Sequence, residues 1–213
     1  MSNTIDKTAE DLAHKAARPD HDILDVFTKR WSPRAFADRA VEPEKLRQVL
    51  EAARWSASSY NEQPWHYIVA TRHDPDAYDQ LLGCLNEFNA SWAKNAPVLM
   101  LAVIREFPEG DPDKTNRVAL HDLGAASASL SYQATALGLY VHQMAGILPD
   151  EARKRYEIPD GYRAVTGLAL GYLGDPDQLP GGLREGELSE RSRKPLADFV
   201  FSGRWGESAD LVD

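Results

Sequence analysis

The sequence predicts a single α+β domain, and three observations indicate this fold class. Segments with the composition of β-strands alternate along the chain with segments of helical periodicity. Residues 97–104, PVLMLAVI, are continuously apolar, which is typical of a strand buried on both faces. No strand-like segment is followed by the G-x-G-x-x-G turn of a dinucleotide-binding fold, so a Rossmann arrangement has no local support.

Sequence patterns in the first half of the chain predict three helices and one strand. A helix is expected from Asp22, which would act as its N-cap, and it would carry residues 30–32 at its C-terminal end. Residues 42–57 have the pattern of an amphipathic helix. Residues 65–70, WHYIVA, are rich in aromatic and β-branched side chains and predict a strand. Asp74 followed by proline is a typical helix start, and that helix should run to about residue 85.

The longest predicted helix covers residues 117–137 and follows a loop at 106–114. Its apolar stripe consists of Leu123, Ala126, Leu130, Ala134 and Leu137. Small residues at 124–129 would let another backbone approach this helix closely. Gly138 is a natural C-terminal stop, because glycine adopts the left-handed conformation that ends many helices.

The last third of the chain predicts two strands and a helix. The strands are expected at 139–142 and 165–173, and the helix at 149–156. Residues 178–192 are predicted to be a loop, and residues 195–204 an extended or irregular tail.

Size and composition are typical of one globular domain. The chain has 213 residues, of which 43% are hydrophobic and 27% charged, so it can bury a substantial core. We divide it into a polar extension at 1–21, with a short helix near 7–17, and one domain at 22–213. The net charge is −9, from 24 basic and 33 acidic residues, which gives no general attraction to nucleic acid. The few basic clusters therefore stand out as local sites.

The sequence also predicts a soluble, cytoplasmic protein without a metal site. The first residues contain no apolar core of a signal peptide, and the longest apolar run is far shorter than the ~20 residues that span a bilayer. The single cysteine, Cys84, excludes an intramolecular disulfide and suits a reducing compartment. We expect Cys84 in the middle of a helix, packed in the core. The histidines show no metal-binding spacing.

Two basic clusters, at 30–34 (RWSPR) and 191–194 (RSRK), are candidates for binding one phosphate. Guanidinium groups offer a rigid fork of donors to phosphate oxygens, and Ser32 could add a hydroxyl. Taken alone, surface charges or carboxylate partners are the commoner explanation of such arginines.

Two further segments carry polar or flexible residues next to predicted strands. Residues 58–65, SSYNEQPW, concentrate donors and acceptors that could match the edge of a polar heterocycle such as the flavin pyrimidine, or could form a capped turn. Residues 142–146, HQMAG, end at a glycine that would let the backbone lie against a ligand. A buried histidine beside a core methionine would explain the same segment. No nucleophile motif indicates a catalytic role for His142.

The sequence resembles the FMN-dependent nitroreductase family in four segments. In chain order they are RWSPRAF (30–36), SSYNEQPW (58–65), HQMAG (142–146) and RSRKPL (191–196). The R-x-S-x-R-x-F and S-x-N-x-Q-P-W patterns are the most specific, and the resemblance covers roughly residues 22–206. It implies a nitroreductase-like α+β fold with a central mixed sheet flanked by helices. It also implies an intertwined homodimer, with the long helix at the interface and FMN bound there by both subunits.

The resemblance implies a role for individual residues. Arg30, Arg191 and Arg193 would bind the FMN phosphate, with Ser32 nearby. Ser58, Ser59 and Asn61 would come from the partner subunit. The full set of implied cofactor-binding residues is Arg30, Trp31, Ser32, Arg34, Ser58, Ser59, Asn61, Gln63, Asn89, Met144, Ala145, Gly146, Arg191 and Arg193. Trp31 departs from the smaller or polar residue that is common at its position, and could narrow access to the flavin.

The function that the resemblance implies is oxidoreduction, with the flavin carrying the chemistry and no catalytic side chain. A hydride would pass from NADH or NADPH, the transient electron donor, through flavin N5 to a nitroaromatic, quinone or related small acceptor by a ping-pong mechanism. Two alternatives remain open: a specialised flavin reaction on the same fold, such as dehalogenation or dehydrogenation, or a non-catalytic FMN-binding dimer.

Overall fold

The computed structural model describes residues 15–212 and shows an α+β fold. Its helices are α1 Asp25–Lys29, α2 Pro43–Arg54, α3 Pro75–Leu82, α4 Glu87–Ala93, α5 Ala119–Ala136, α6 Pro149–Tyr156 and α7 Gly181–Leu188. Its strands are β1 Trp65–Thr71, β2 Val98–Arg105, β3 Tyr140–Met144 and β4 Tyr162–Gly171. The predicted fold class is confirmed. The helix expected near 7–17 and most of the extension at 1–21 lie outside the described residues.

The strands of the described residues form one sheet in the order β1-β2-β4-β3. All three pairings are antiparallel, so the expectation of a mixed sheet is wrong for this part of the chain. The strands β2 and β3 do run in the same direction, because the 18 residues of α5 rise about 27 Å and return the chain to the end at which β2 began. They do not pair because β4 lies between them and runs the opposite way.

Helices cover both faces of the sheet, and β2 contributes side chains to both. All eight of its residues are buried, as its continuous apolar sequence predicts. One face packs against α3, α4 and α6 through residues that include Leu81, Leu99, Leu101, Trp92 and Ala152. The other face packs against α2 and α5 through residues that include Val49, Met100, Ile104, Leu123 and Leu130. The two cores hold the ends of β3 and β4 in fixed positions.

Several helix boundaries confirm the sequence analysis. The helix α6 covers the predicted residues 149–156. The side chain of Asp74 accepts a hydrogen bond from the Ala77 N–H at 3.1 Å, as expected of an N-cap followed by proline. Gly138 ends α5 with a φ of +74°.

Other boundaries differ from the prediction. The helix α1 begins at Asp25, and its N-cap is Leu24 without a side-chain cap, so Asp22 does not have the expected role. The helix α3 ends at Leu82 rather than near residue 85. Cys84 therefore lies in the turn after α3 and not in the middle of a helix, although it is buried as predicted.

Two short helices were not predicted. The helix α7 lies inside the segment 178–192 that was expected to be a loop, because two glycines begin it and no apolar stripe marks it. The helix α4 is capped by Asn86, whose side chain accepts a hydrogen bond from the Asn89 N–H at 2.9 Å. Within residues 15–212, no helix is both long and apolar enough to cross a membrane.

Candidate functional site

A cavity of about 360 Å³ lies between the segment that follows α1 and the segment that follows α7. We call it the basic cavity. Its lining residues are Lys15, Arg30, Trp31, Ser32, Arg34, Gly186, Glu187, Ser189, Glu190, Arg191, Ser192 and Arg193. The fold thus brings together the two basic clusters that lie far apart in the sequence, and five cations share one small space.

The arginines of the basic cavity form no close ion pair with any carboxylate of the described residues. Among residues 15–212, none of the ion pairs within 4.0 Å includes Arg30, Arg34, Arg191 or Arg193. Arg191 instead donates from Nη1 to two backbone carbonyl oxygens, those of Lys15 and Thr28, both at 2.8 Å. The Nε of Arg34 is buried and has no hydrogen-bond partner within residues 15–212. Within residues 15–212, the cavity therefore offers guanidinium donors outside any close ion pair, although the carboxylate of Glu187 interacts electrostatically with Arg34.

The positive charges in the basic cavity repel one another, so that burial and this repulsion together lower the pKa of two of the arginines. Burial lowers the pKa of Arg191, and the neighbouring charges of Arg30 and Arg193 lower it further. The pKa of Arg30 is also lowered by burial and by Arg193, with Tyr132 opposing the shift. A bound anion would reverse this effect, since a negative charge within a few ångströms favours the charged form of each guanidinium. The electrostatics thus favour an anionic ligand.

Lys15 and Glu187 are buried members of the basic cavity that the sequence analysis missed. Lys15 is 4% exposed, donates from Nζ to the Ser189 carbonyl oxygen, and lies 4.8 Å from the centre of the Trp31 ring. Glu187 is 1% exposed, and burial raises the pKa of its carboxyl, although hydrogen bonds from the backbone of Ala35 and Arg34 oppose the shift. Trp31 is itself only 5% exposed, so its ring packs inside the protein beside Lys15.

A second group of predicted residues meets at the end of β3. The side chain of Asn89 donates from Nδ2 to the Gly146 carbonyl oxygen at 3.0 Å. A Cβ atom at Gly146 would lie 2.4 Å from the Asn86 amide nitrogen and 2.5 Å from that of Asn89, so this close approach requires glycine. Met144 is buried at the end of the strand, and Ala145 is exposed. Asn89, Ala145 and Gly146 therefore form one polar edge.

His142 connects this edge to the basic cavity. Its Nδ1 lies 2.9 Å from the Pro33 carbonyl oxygen, so Nδ1 carries the proton and donates. Its ring lies 4.5 Å from the Trp92 ring, whose centre is 6.0 Å from the Arg34 guanidinium. The pKa of His142 is lowered to about 4, mainly by burial and with a contribution from Arg34, while the hydrogen bond to Pro33 opposes the shift. The imidazole is therefore neutral at physiological pH.

The remaining predicted residues do not line the basic cavity. Ser58, Ser59, Asn61 and Gln63 form a turn in which the Gln63 N–H donates to Ser58 Oγ at 3.0 Å and the Ser59 N–H donates to Asp122 Oδ2 at 3.2 Å. The backbone φ angles of Tyr60, Asn61 and Gln63 are +52°, +58° and +46°. Such non-glycine conformations cost about 1–3 kcal/mol each and persist where the surroundings enforce them. Tyr60 is 98% exposed at the tip of this turn.

Comparison with known proteins gives consistent results. A model of the nitroreductase family matches residues 27–172. An uncharacterized 15.4 kDa protein in the ask 5′ region of Mycolicibacterium smegmatis is 36% identical over 131 residues, which is 62% of this chain and 86% of that protein. An oxygen-insensitive NADPH nitroreductase of Helicobacter acinonychis is 30% identical over 169 residues, 76% of each chain. An oxygen-insensitive NAD(P)H nitroreductase of Enterobacter cloacae is 39% identical over 57 residues, 26% of each chain.

The fold also matches solved structures. A crystal structure described as that of an oxidoreductase containing FMN superposes with a TM-score of 0.83 at 34% identity, and the match covers 98% of this chain and 100% of the other. The matched family region includes residues 30–34, 58–63 and 142–146 but ends before α7, Arg191 and Arg193.

Proposed function

The chain belongs to the nitroreductase family, and we propose that it is an FMN-dependent oxidoreductase that takes electrons from NADH or NADPH. Two relatives are named NADPH or NAD(P)H nitroreductase, and a structure that matches nearly the whole chain contains FMN. The acceptor would be a nitroaromatic, a quinone or a related small molecule. The observation that carries the proposal is the basic cavity, whose arginines form no close ion pair in the described part of the chain.

The residues of the basic cavity fit the phosphate of FMN. Arg30, Arg191 and Arg193 would hold the phosphate with help from the Ser32 hydroxyl, because phosphate oxygens accept charge-assisted hydrogen bonds from guanidinium groups. The phosphate dianion would neutralise the positive charge of these arginines. The buried Arg34 Nε has no partner in residues 15–212, and an acceptor atom of the cofactor would satisfy it.

The polar edge at the end of β3 suits the ring system of the cofactor. Asn89 would face the pyrimidine edge, and the backbone N–H groups of Ala145 and Gly146 would donate near N5 and O4. Arg34 would lie near N1 and O2, where a cation stabilises negative charge. When bound, FMN supplies the two-electron chemistry that no side chain of this protein provides. The neutral His142 holds the Arg34 segment through Pro33 and carries no proton to be transferred from Nε2.

The residues Ser58, Ser59, Asn61 and Gln63 would complete the site of a second copy of the chain. Their turn is strained and exposed, as expected of a segment that another surface covers. The helix α5 would offer the matching interface: Leu120 is 51% exposed, and a Cβ at Gly124 would meet no described atom within 4 Å. These features support a homodimer in which each FMN contacts both subunits.

Steady-state kinetics test the proposed reaction. Initial rates of NADPH oxidation are measured at several concentrations of a nitroaromatic acceptor, with the FMN-loaded protein. Parallel double-reciprocal lines are expected, because donor and acceptor would use the same open face in turn. Lines that intersect would refute alternating use of one site. Tight FMN binding without oxidation of either nicotinamide would identify a non-catalytic flavin-binding protein instead.

A further inference from the structure

Glu187 is a buried carboxylate that the proposed reaction does not use. It lies in the last turn of α7, beyond the region that the family model matches. Its two oxygens accept three hydrogen bonds from the backbone of the segment after α1. The Arg34 N–H donates to Oε1 at 2.9 Å and to Oε2 at 3.0 Å, and the Ala35 N–H donates to Oε1 at 2.9 Å.

These hydrogen bonds complete the attachment of a segment that has no regular secondary structure. The Pro33 carbonyl oxygen accepts from His142 at 2.9 Å, and the Ala35 carbonyl oxygen accepts from the Gly174 N–H at 2.9 Å. Ala35 is fully buried, so its N–H needs an acceptor within the protein. Glu187 supplies that acceptor, and the backbone on both sides of the Arg34 Cα is thereby fixed.

The charge of Glu187 is unfavourable for the ligand of the basic cavity. A carboxylate in the lining of an anion site repels the anion, and this repulsion is strong where water is excluded. A purely electrostatic role and a positioning role therefore predict opposite results when the charge is removed. Loss of a mere counter-charge would tighten anion binding, whereas loss of a positioning group would weaken it.

We propose that Glu187 is a positioning residue: it fixes the backbone of Arg34 and Ala35 so that the Arg34 guanidinium faces the cofactor from the wall of the basic cavity. The proposal rests on the proposed function, since FMN is the ligand whose recognition Arg34 would serve. It adds α7, which local sequence patterns did not predict, to the parts of the chain that shape the site.

The test is the affinity of the cofactor-free protein for FMN, measured by quenching of flavin fluorescence, in Glu187→Gln and in a matched control. Glutamine keeps the volume and one acceptor oxygen but turns an NH₂ group toward the Arg34 N–H. Glu187→Gln is expected to bind FMN roughly tenfold more weakly than the unmodified protein, because it loses charge-assisted hydrogen bonds. Glu190→Gln removes the same charge from the same cavity wall, where the Glu190 side chain is 75% exposed and lies 3.9 Å from the Arg18 guanidinium. It should bind FMN as tightly as the unmodified protein, or more tightly. Equal or tighter binding in Glu187→Gln would overturn the proposal.

A double-mutant cycle separates positioning of Arg34 from general damage to the fold. In an Arg34→Ala background, Glu187→Gln should change FMN affinity by less than about twofold, since the side chain that it positions is gone. An equal loss in both backgrounds would overturn the proposal. If Glu187→Gln does not fold, backbone amide exchange in the unmodified protein decides: slow exchange of the Arg34 and Ala35 N–H groups before FMN is added supports the proposal, and fast exchange overturns it.

Inorganic phosphate distinguishes failure of this inference from failure of the proposed function. If the unmodified protein does not bind FMN, the proposed function fails, and the same variants are compared by their affinity for inorganic phosphate. Weaker phosphate binding in Glu187→Gln than in Glu190→Gln would still support a positioning role at an anion site. Similar phosphate binding in the two variants, or none in the unmodified protein, would overturn it.

Discussion

Arg193 is exposed, and its nearest hydrogen-bond acceptor is the carbonyl oxygen of its own neighbour, Ser192, at 2.6 Å. Its guanidinium is therefore free to turn toward a ligand in the basic cavity, in contrast to Arg191, which two backbone carbonyl groups hold in place. At the scale of single residues, the loop after α7 thus contributes one fixed cation, Arg191, and one adaptable cation, Arg193.

Arg193→Ala should weaken FMN binding by about 1.5–3 kcal/mol, the usual contribution of a hydrogen bond to a charged group. Fluorescence titration of the cofactor-free protein measures the change. Arg204→Ala removes an equal charge from an exposed position outside the cavity lining and serves as the control. Equal FMN affinity in Arg193→Ala and Arg204→Ala would remove Arg193 from the phosphate site.

The lowered pKa of His142 predicts that the stability of the folded protein depends on pH. Its pKa is lowered from 6.5 to about 4 in the folded protein, so the unfolded chain binds a proton more readily. The stability linked to His142 is therefore fully present above pH 6.5 and is lost as pH falls toward 4, up to about 3 kcal/mol in total.

Urea unfolding at about pH 7 and about pH 4.5 checks this prediction. His142→Asn retains a donor for the Pro33 carbonyl group and removes the titrating ring. The variant should lose less stability over this pH range than the unmodified protein. Equal losses would show that the pKa of His142 is the same in the folded and unfolded states.

At the scale of elements, the contact between α4 and the end of β3 depends on Gly146. Gly146→Ala should displace Asn86 and Asn89, because the new methyl group would lie within 2.5 Å of both side chains. We expect a loss of about 1–3 kcal/mol of unfolding free energy, as for other overpacked sites, together with weaker FMN binding.

Gly182→Ala is the matched control for Gly146→Ala. A Cβ at Gly182 would meet no atom of residues 15–212 within 4 Å, and the residue lies in the first turn of α7. Alanine there should be neutral or stabilise the protein by up to ~1 kcal/mol, because it has the higher helix propensity. Thermal unfolding compares the two variants, and similar effects would contradict the close packing inferred around Gly146.

Sequence patterns predict some of these elements well because the determining interactions are local. The continuous apolar run predicts β2, and proline at the helix start with basic residues at its end marks α6. The sequence also suggests that the two arginine clusters could bind one phosphate, and the structure places both clusters in the lining of one cavity.

Glu187 and Lys15 could not be predicted, because the interactions that bury them are distant in sequence. Glu187 accepts hydrogen bonds from residues 152 and 153 positions away, and Lys15 bonds to a carbonyl group 174 positions away. The helix has only eight residues and begins with two glycines, so its sequence shows no periodicity that would predict a buried carboxylate. The antiparallel sheet was missed for a similar reason, since only the completed fold shows that β4 lies between β2 and β3.

At the scale of the whole molecule, the proposed homodimer connects the strained turn at 58–63 with the basic cavity of a partner. Leu120→Glu would place a charge on the exposed apolar surface of α5, so it should dissociate the dimer and lower FMN affinity together. Sedimentation velocity gives the oligomeric state, and fluorescence titration gives the affinity. A monomeric unmodified protein that binds FMN tightly would contradict a shared site.

In the proposed function, the basic cavity and the polar edge beside it hold FMN for electron transfer from a nicotinamide donor. The most direct test is the visible absorption spectrum of the purified protein, recorded before and after anaerobic addition of NADH or NADPH. We predict the absorption bands of bound oxidised flavin and their bleaching by at least one of the two donors. A colourless protein that also fails to take up added FMN would contradict the account.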